Sequence, residues 1–403
     1  MYNLSKADAF QNPGSDPAYV LEIIPVAGGL AAISSDQKLT IFNPSRLSQG
    51  PQKTIRTAHG NITCARAFDA SNSIVCTAGE NGTVSLWDLR LDGAGAQVAA
   101  PTGCDAPIVS LACSTSGNAI AAGTEYANHQ ASILIWDARA GSAPRIRYDE
   151  VHSDDVTELN FHPTSANILL SGSTDGLVNV CDINIADEDE VVIQAFNHGS
   201  VHHAGFLNDT EVYAVSHDEK FSLYDMAETQ EKGSASWAVG DIRDALKCQY
   251  VANVTPKFGD SGAVIGAGTQ DQQLFQLIHM SKSPGWGFRA ETSVGLPGAH
   301  GSELVRSFCF VDQEQVVFTA GEDGQIIAWR PTNAAANAEA MAPFRECYEH
   351  NGHVLYCHGD DVNFVLGRRG VAAEATGAAE VAVEAGEAEA EAAEVEEVFC
   401  PDS

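Results

Sequence analysis

Short apolar segments recur along the chain in a fixed order. In the clearest copy, ITCARAF alternates apolar and polar residues, SIVCTAG follows with small residues, and TVSLWD closes the unit after Asn81-Gly82. Alternation with a period of two is typical of a half-buried β-strand, and Asn-Gly favours a tight hairpin turn. The pattern therefore predicts a repeated unit of antiparallel strands.

Seven copies of this unit align on one turn residue, which always lies six residues before a strand-end position. The turn residues are Asp36, Asn81, Gln130, Asp175, Asp218, Asp271 and Asp323, and the strand ends are Phe42, Trp87, Trp136, Cys181, Tyr224, Leu277 and Trp329. Successive turn residues are 45, 49, 45, 43, 53 and 52 residues apart. Such a unit cannot bury its apolar face alone. The spacing predicts an all-β fold, a single seven-bladed β-propeller.

Polar residues recur with the units: a His, a Ser or Thr and the turn residue keep fixed offsets from the strand end. The set imitates a hydrolase triad, yet an enzyme needs one such set in one cleft, and in this chain it is repeated. We interpret it as a hydrogen-bonded brace and expect no enzyme. The predicted brace residues are His59, Thr77, Asn81, Trp87, His152, Ser171, Asp175, Asp218, His300, Thr319, Asp323 and Trp329.

Two repeats depart from this rule. Cys104-Asp105 and Gly240-Asp241 stand where Gly-His is expected, so their blades should be braced differently. Repeat three also carries an insertion at residues 125–132, and residues 237–243 are expected to form a loop. Because loops carry binding function more often than strands do, both are predicted contact sites for a partner.

From His59 to Trp87 and from His300 to Trp329 the sequence resembles the WD-repeat motif. The resemblance implies that these residues form a buried network in each blade. The layout of residues 19–331, including VGDIRDALKCQYVANV, resembles the family of WD repeat-containing protein 89. It implies a propeller with an interaction role rather than a reaction.

Two neighbouring repeats end in a WDxR pattern, Trp87-Asp88-Leu89-Arg90 and Trp136-Asp137-Ala138-Arg139. The pair resembles the motif by which substrate receptors dock on the large propeller adaptor of cullin-RING ubiquitin ligases. An Arg just beyond a strand end lies on the rim, where it can pair with an acidic group of a partner. The alternative is that these Arg residues follow the strand without a docking role.

The formal net charge is −32, and residues 372–398 contribute nine Glu with no Lys or Arg. Such a field repels nucleic acid and favours basic protein partners, although a strongly acidic surface also serves solubility alone. The Ala/Glu composition of residues 371–403 predicts a disordered acidic tail, because it offers no apolar face for packing.

Neither a cofactor nor a bound metal is expected. Cys347, His350, His353, Cys357 and His358 have the ligand types that suit zinc, but their spacing does not match the usual two-pair arrangement. His202 and His203 are expected on opposite faces of one strand, which argues against a shared metal.

The predicted organisation is an N-terminal segment (1–18), the propeller (19–331), a linker (332–370) and the tail (371–403). Either the N-terminal segment or residues 353–366 could supply the last strand of blade seven, and the latter alternates better. No apolar run reaches the roughly 18 residues of a membrane helix, and the start lacks a secretory signal. The ten scattered Cys are expected to be free thiols in a reducing compartment, the nucleus or the cytoplasm.

Overall fold

Seven antiparallel sheets follow one another along the chain and form a seven-bladed β-propeller in the computed structural model. It describes residues 1–14, 17–226, 235–257, 262–282, 285–311, 315–332, 349–350, 353–358 and 363–368. The first strands of neighbouring blades contact each other around the central channel. The fourth strand of each blade lies at the opposite edge of its sheet.

Blades one to four each consist of four strands that are consecutive along the chain. Blade one comprises Val20–Val26, Gly29–Ser34, Lys38–Phe42 and Lys53–Arg56, and blade two comprises Ile62–Asp69, Ile74–Gly79, Val84–Asp88 and Gln97–Ala99. Blade three comprises Ile108–Ser114, Ala119–Thr124, Ala131–Asp137 and Ile146–His152, and blade four comprises Val156–Phe161, Ile168–Ser173, Leu177–Asp182 and Val192–Asn197.

Blades five to seven complete the ring. Blade five comprises Val201–Phe206, Glu211–Ser216, Lys220–Asp225 and Ala235–Asp241, and blade six comprises Tyr250–Lys257, Gly262–Thr269, Leu274–Ser281 and Gly287–Pro297. Blade seven comprises Val305–Val311, Val316–Gly321, Gln325–Arg330 and, from the N-terminus, Ser5–Gln11. The short helices among the described residues are Leu47–Gln49, Gly93–Ala96, Glu188–Val191 and Arg243–Leu246.

The predicted turn residues all lie between the second and third strands of their blades, and every predicted strand end lies in a third strand. The prediction of a loop at residues 237–243 is wrong. Ala235–Asp241 is the fourth strand of blade five and pairs with Lys220–Asp225. The side chains of this strand alternate in exposure, and Trp237 packs on the interface with blade six.

The N-terminus closes the ring. Ser5–Gln11 pairs antiparallel with Gln325–Arg330 of blade seven, and Tyr2–Asn3 pairs parallel with the fourth strand of blade six. Leu4, between the two strands, is 1% exposed in the core between these blades. One short segment therefore joins two blades, and the propeller begins at residue 2 rather than at residue 19.

The better-alternating candidate for this strand, residues 353–366, does not fill the position. Glu349–His350, His353–His358 and Asn363–Arg368 pair with one another in a separate three-stranded sheet. Alternation alone favours this segment, but its strands are paired within their own sheet, whereas Ser5–Gln11 covers the open edge of blade seven.

Seven apolar clusters hold the described blades together, one at each interface between neighbours. Six of the predicted strand-end residues pack towards the preceding blade. Leu277 is the exception, because it packs in the cluster shared with blade seven. In the blade that lacks an aromatic strand end, the strand-end residue thus packs against the following blade.

All seven first strands carry a β-bulge near their start, directly after the first residue in six of them and after the second residue in blade six. The bulged residues are Leu21, Thr63, Val109, Thr157, His202, Ala252 and Arg306. A bulge interrupts the strict alternation of side chains. The prediction that His202 and His203 lie on opposite faces is therefore wrong: their ring centroids are 4.0 Å apart.

Within the part of the chain that the structure describes, no helix has the length and apolar character needed to cross a membrane.

Candidate protein-interaction site

Blade seven contains a continuous chain of hydrogen bonds. The Trp329 Nε1–H donates to Thr319 Oγ1 at 2.9 Å, and Thr319 Oγ1 lies 2.8 Å from His300 Nε2. His300 Nδ1 lies 2.7 Å from Asp323 Oδ1. The roles are consistent when the Thr hydroxyl donates to Nε2 and Nδ1–H donates to the carboxylate. Each group of this brace then has a defined partner.

Blade two has the same chain with one extra member. Trp87 Nε1–H donates to Thr77 Oγ1 at 2.7 Å, and His59 Nε2 lies 2.7 Å from the same oxygen. His59 Nδ1 bonds Thr83 Oγ1 at 2.6 Å, and this hydroxyl donates to Asn81 Oδ1. The Asn81 side chain therefore reaches the imidazole ring only through Thr83, which the sequence pattern does not single out.

Blade four lacks the indole. His152 bonds Ser171 Oγ at 2.8 Å and Asp175 Oδ2 at 2.9 Å, and Cys181 occupies the position of the Trp. Burial raises the pKa of the Cys181 thiol to about 12, against a lowering by its hydrogen bond to Ser171. The shortened brace therefore ends on a neutral thiol.

Blade five does not use its turn residue. Asp218 is a predicted brace residue, but its side chain is 80% exposed and lies 3.9 Å from the Lys220 ammonium. His198 instead bonds the Tyr224 hydroxyl at 3.0 Å and the Lys220 carbonyl at 3.0 Å. The phenol reaches the histidine directly because it occupies the strand-end position.

The burial of the Ser and Thr residues of the braces bears on whether their hydroxyl groups could act on a substrate. Thr77, Ser171 and Thr319 are each 0% exposed, so a substrate has no access to their hydroxyl groups. Burial lowers the pKa of His59 to about 4, against a raising by its hydrogen bond with Thr83. Burial raises the pKa of Asp323, but the hydrogen bond and charge of His300 together with the hydrogen bonds from Gln325 outweigh it, and the pKa lies below its ordinary value.

Both Arg residues of the WDxR patterns fold back onto their own aspartates. Arg90 binds Asp88 through Nε at 2.9 Å and Nη2 at 2.7 Å, and Arg139 binds Asp137 through the same two atoms at 3.2 Å each. Their side chains remain 56% and 68% exposed. They follow the third strands of neighbouring blades, so they lie on one rim.

A third pair shows the same geometry without a tryptophan. Arg243 binds Asp241 through Nε at 3.0 Å and Nη2 at 2.6 Å, and its backbone N–H donates to the same carboxylate. The fold-back is therefore a local property of Asp-x-Arg. Asp241 stands where a histidine is expected before blade six, but the turn residue of that blade, Asp271, bonds Gln249 instead.

One sector of the propeller carries negative charge only. Residues 148–219, here called the acidic sector, contain 15 Asp and Glu and no Lys or Arg. They span the end of blade three, all of blade four and the first two strands of blade five. Glu188 accepts hydrogen bonds from the backbone N–H groups of Asp149 at 2.7 Å and Glu150 at 2.6 Å. These contacts bring the acidic helix of blade four beside the acidic outer strand of blade three.

The central channel holds a cluster of unlike polar groups, here called the channel cluster: Glu22, Arg66, Glu158 and His203. Arg66 Nη1 lies 2.5 Å from Glu22 and Nη2 lies 3.5 Å from Glu158, whose other oxygen lies 3.3 Å from His203 Nδ1. Burial raises the pKa of Glu22, against a lowering by Arg66. The repeat pattern of the sequence does not predict such a cluster.

Each member of the channel cluster comes from the first strand of a different blade. The signal in the sequence is an acidic or basic residue inside an apolar alternating strand, as in VLEIIPV, ITCARAF and VTELNFH. Only the closed ring shows that they meet, because they are separated by up to three blades.

The Cys/His group near the C-terminus falls largely outside the described side chains. Cys347 lies outside the described residues, and His350, His353, Cys357 and His358 are described as strand positions only. Among the residues that the structure does describe, no group of three or more His, Cys, Asp or Glu could hold a metal ion.

Comparison with known proteins agrees with the braces. The model of the WD domain, G-beta repeat, matches residues 50–88 and 145–182, which contain the braces of blades two and four. The chain is a WD-repeat propeller. Each matched stretch begins at the outer strand of one blade and ends at the third strand of the next, so a sequence repeat is offset from a blade.

Several WD repeat-containing proteins are similar to this WD-repeat propeller. One from Saccharomyces cerevisiae is 30% identical over 61% of this chain and 61% of its own length. One from Schizosaccharomyces pombe is 28% identical over 68% of this chain and 84% of its own. The WD repeat-containing protein 89 homolog of Dictyostelium discoideum is 24% identical over 53% of this chain and 56% of its own.

Proposed function

We propose that this WD-repeat propeller is a non-catalytic scaffold that binds a basic protein partner, and that the acidic sector supplies the contact. WD-repeat propellers generally bind proteins, which gives the class of function. The acidic sector carries the finer proposal, because 12 of its 15 acidic residues are at least partly exposed and it has no Lys or Arg, so it attracts a Lys- and Arg-rich chain. Nucleic acid is repelled by the same field.

The exposed carboxylates of the acidic sector are accessible to such a partner. Glu150, Asp154, Asp189 and Glu190 are all exposed, and they belong to blades three and four. Exposed charges are screened over about 8–10 Å at physiological salt, so binding through them must weaken with ionic strength.

The test is the binding of a fluorescent lysine-rich peptide, measured by anisotropy at low and high salt. In one variant Glu150, Asp154, Asp189 and Glu190 are changed to Lys. We expect this variant to bind the peptide far more weakly than the native chain. Binding to the native chain should fall steeply as salt increases.

A matched control separates the sector from the overall charge. Exposed Asp92, Asp244, Glu291 and Glu303 lie outside the sector, and changing them to Lys alters the net charge equally. This control should retain most of the affinity. Equal losses in both variants, or binding that does not depend on salt, would exclude the acidic sector as the contact.

The second candidate function is docking on the cullin-RING adaptor through Arg90 and Arg139. Their common rim and their exposure favour it, but each guanidinium must first release its own aspartate. Arg90→Ala with Arg139→Ala should abolish co-purification of the adaptor, whereas Arg243→Ala, a pair of equal geometry elsewhere, should not. If no adaptor co-purifies with the native chain, the docking hypothesis is rejected.

A further inference from the structure

Glu158 is a buried carboxylate with only long hydrogen bonds. It is 7% exposed, and its oxygens lie 3.5 Å from Arg66 Nη2, 3.3 Å from Asn160 Nδ2 and 3.3 Å from His203 Nδ1. Charge-assisted hydrogen bonds are normally about 2.7–2.9 Å long. Arg66 lies closer to Glu22, at 2.5 Å. Two carboxylates thus share one guanidinium, and Glu158 holds the weaker contact.

Two buried polar atoms of blade five have no hydrogen-bond partner among the described residues. His203 Nε2 and Glu219 Oε2 are buried and make no hydrogen bond there. Because Nδ1–H of His203 donates to Glu158, the free Nε2 is an acceptor. The Glu219 residue is 7% exposed, and its carboxyl group interacts electrostatically with His203. A buried polar group without a partner destabilises the fold, so its persistence calls for a reason.

The cluster faces the channel. Arg66 of blade two reaches Glu158 of blade four, and a contact between the first strands of blades that are not neighbours must cross the ring. Arg66 and Glu22 are 27% and 26% exposed although they lie on first strands, and this exposed surface therefore opens into the channel.

We propose that the channel cluster binds the ammonium group of a lysine side chain of the partner, with Glu158 and His203 Nε2 as acceptors. An ammonium group has three donors and one positive charge. It would complete the hydrogen bonds of Glu158 and Nε2 and balance the second carboxylate. This site rests on the proposed function, because the lysine belongs to the basic partner that the acidic sector attracts.

The test compares two forms of the lysine-rich peptide, one unmodified and one with every lysine trimethylated. Trimethylation keeps the positive charge but removes the N–H donors, so attraction to the acidic sector is preserved. We expect the native chain to bind the unmodified peptide about tenfold more tightly. Glu158→Gln keeps the shape of the side chain and should remove this preference, while the salt dependence remains.

The outcomes separate the channel site from the acidic sector. Equal affinity of the native chain for both peptides overturns the channel site and leaves the acidic sector intact. A preference that survives in Glu158→Gln also overturns it. If neither peptide binds at low salt, the channel site and the proposed function both fail. The comparison on the native chain decides the question even if the variant does not fold.

Discussion

The hydroxyl group of Thr319 is predicted to be costly to remove, because it joins two nitrogens of its brace. Its oxygen contacts Trp329 Nε1 at 2.9 Å and His300 Nε2 at 2.8 Å, and the residue is 0% exposed. Thr319→Val keeps the shape and leaves both nitrogens without a partner. At about 1–3 kcal/mol for each such group, we expect a loss of about 2–4 kcal/mol in the free energy of unfolding.

Blade four supplies a matched comparison. Ser171 has the same position, but Cys181 replaces the Trp, and the only nitrogen that loses a strong partner is His152 Nε2. Ser171→Ala should therefore cost about 1–2 kcal/mol. Thr54, an exposed residue of an outer strand, gives the surface control, and Thr54→Val should change stability by less than about 0.5 kcal/mol.

Equilibrium unfolding in urea measures these differences from the shift in midpoint at constant slope. The variant Trp329→Phe tests the mechanism further, because it removes the indole donor. In that background Thr319→Val should cost about 1 kcal/mol less, which a double-mutant cycle reports as coupling. If Thr319→Val costs no more than Thr54→Val, or if no coupling is found, the shared hydroxyl does not hold the blade.

Three further predictions concern the ring and its braces. Leu4→Ala should cost about 2–4 kcal/mol in urea unfolding, because Leu4 is 1% exposed between blades six and seven; a loss below about 1 kcal/mol would show that the N-terminal segment is dispensable. The stability that Asp323 contributes should be present above about pH 4 and lost as pH falls through its lowered pKa, so the difference between the native chain and Asp323→Asn should shrink in acid; a difference independent of pH would refute this. Gly79→Ala should destabilise blade two, because the added Cβ would lie 2.3 Å from the Asn61 carbonyl oxygen and 2.4 Å from His59 Cβ; an unchanged urea midpoint would show that this strand end can move.

The periodic features of the chain are readable without a structure. Each turn residue and strand end lies in one repeat, and the brace partners of blade seven, His300, Thr319 and Asp323, are brought together within that repeat. Local sequence determines such contacts, because a hairpin and the segment before it set their geometry. Asp218 departs from the predicted role, because the phenol of Tyr224 satisfies the histidine of blade five.

Departures from regular alternation are harder to predict. A bulge adds one residue without a distinctive sequence, so the shared face of His202 and His203 cannot be read from a period of two. The fourth strand of blade five resembles a loop in sequence, since outer strands alternate only weakly.

The sequence by itself determined the number of units, the residues that brace blades two, four and seven and the excess of negative charge, because these are local or compositional properties. The tertiary structure decided which segment closes the ring and that Glu22, Arg66, Glu158 and His203 meet in the channel. Their separation along the chain spans several blades, and only closure of the ring brings the first strands together. The acceptor-rich channel is a product of that closure.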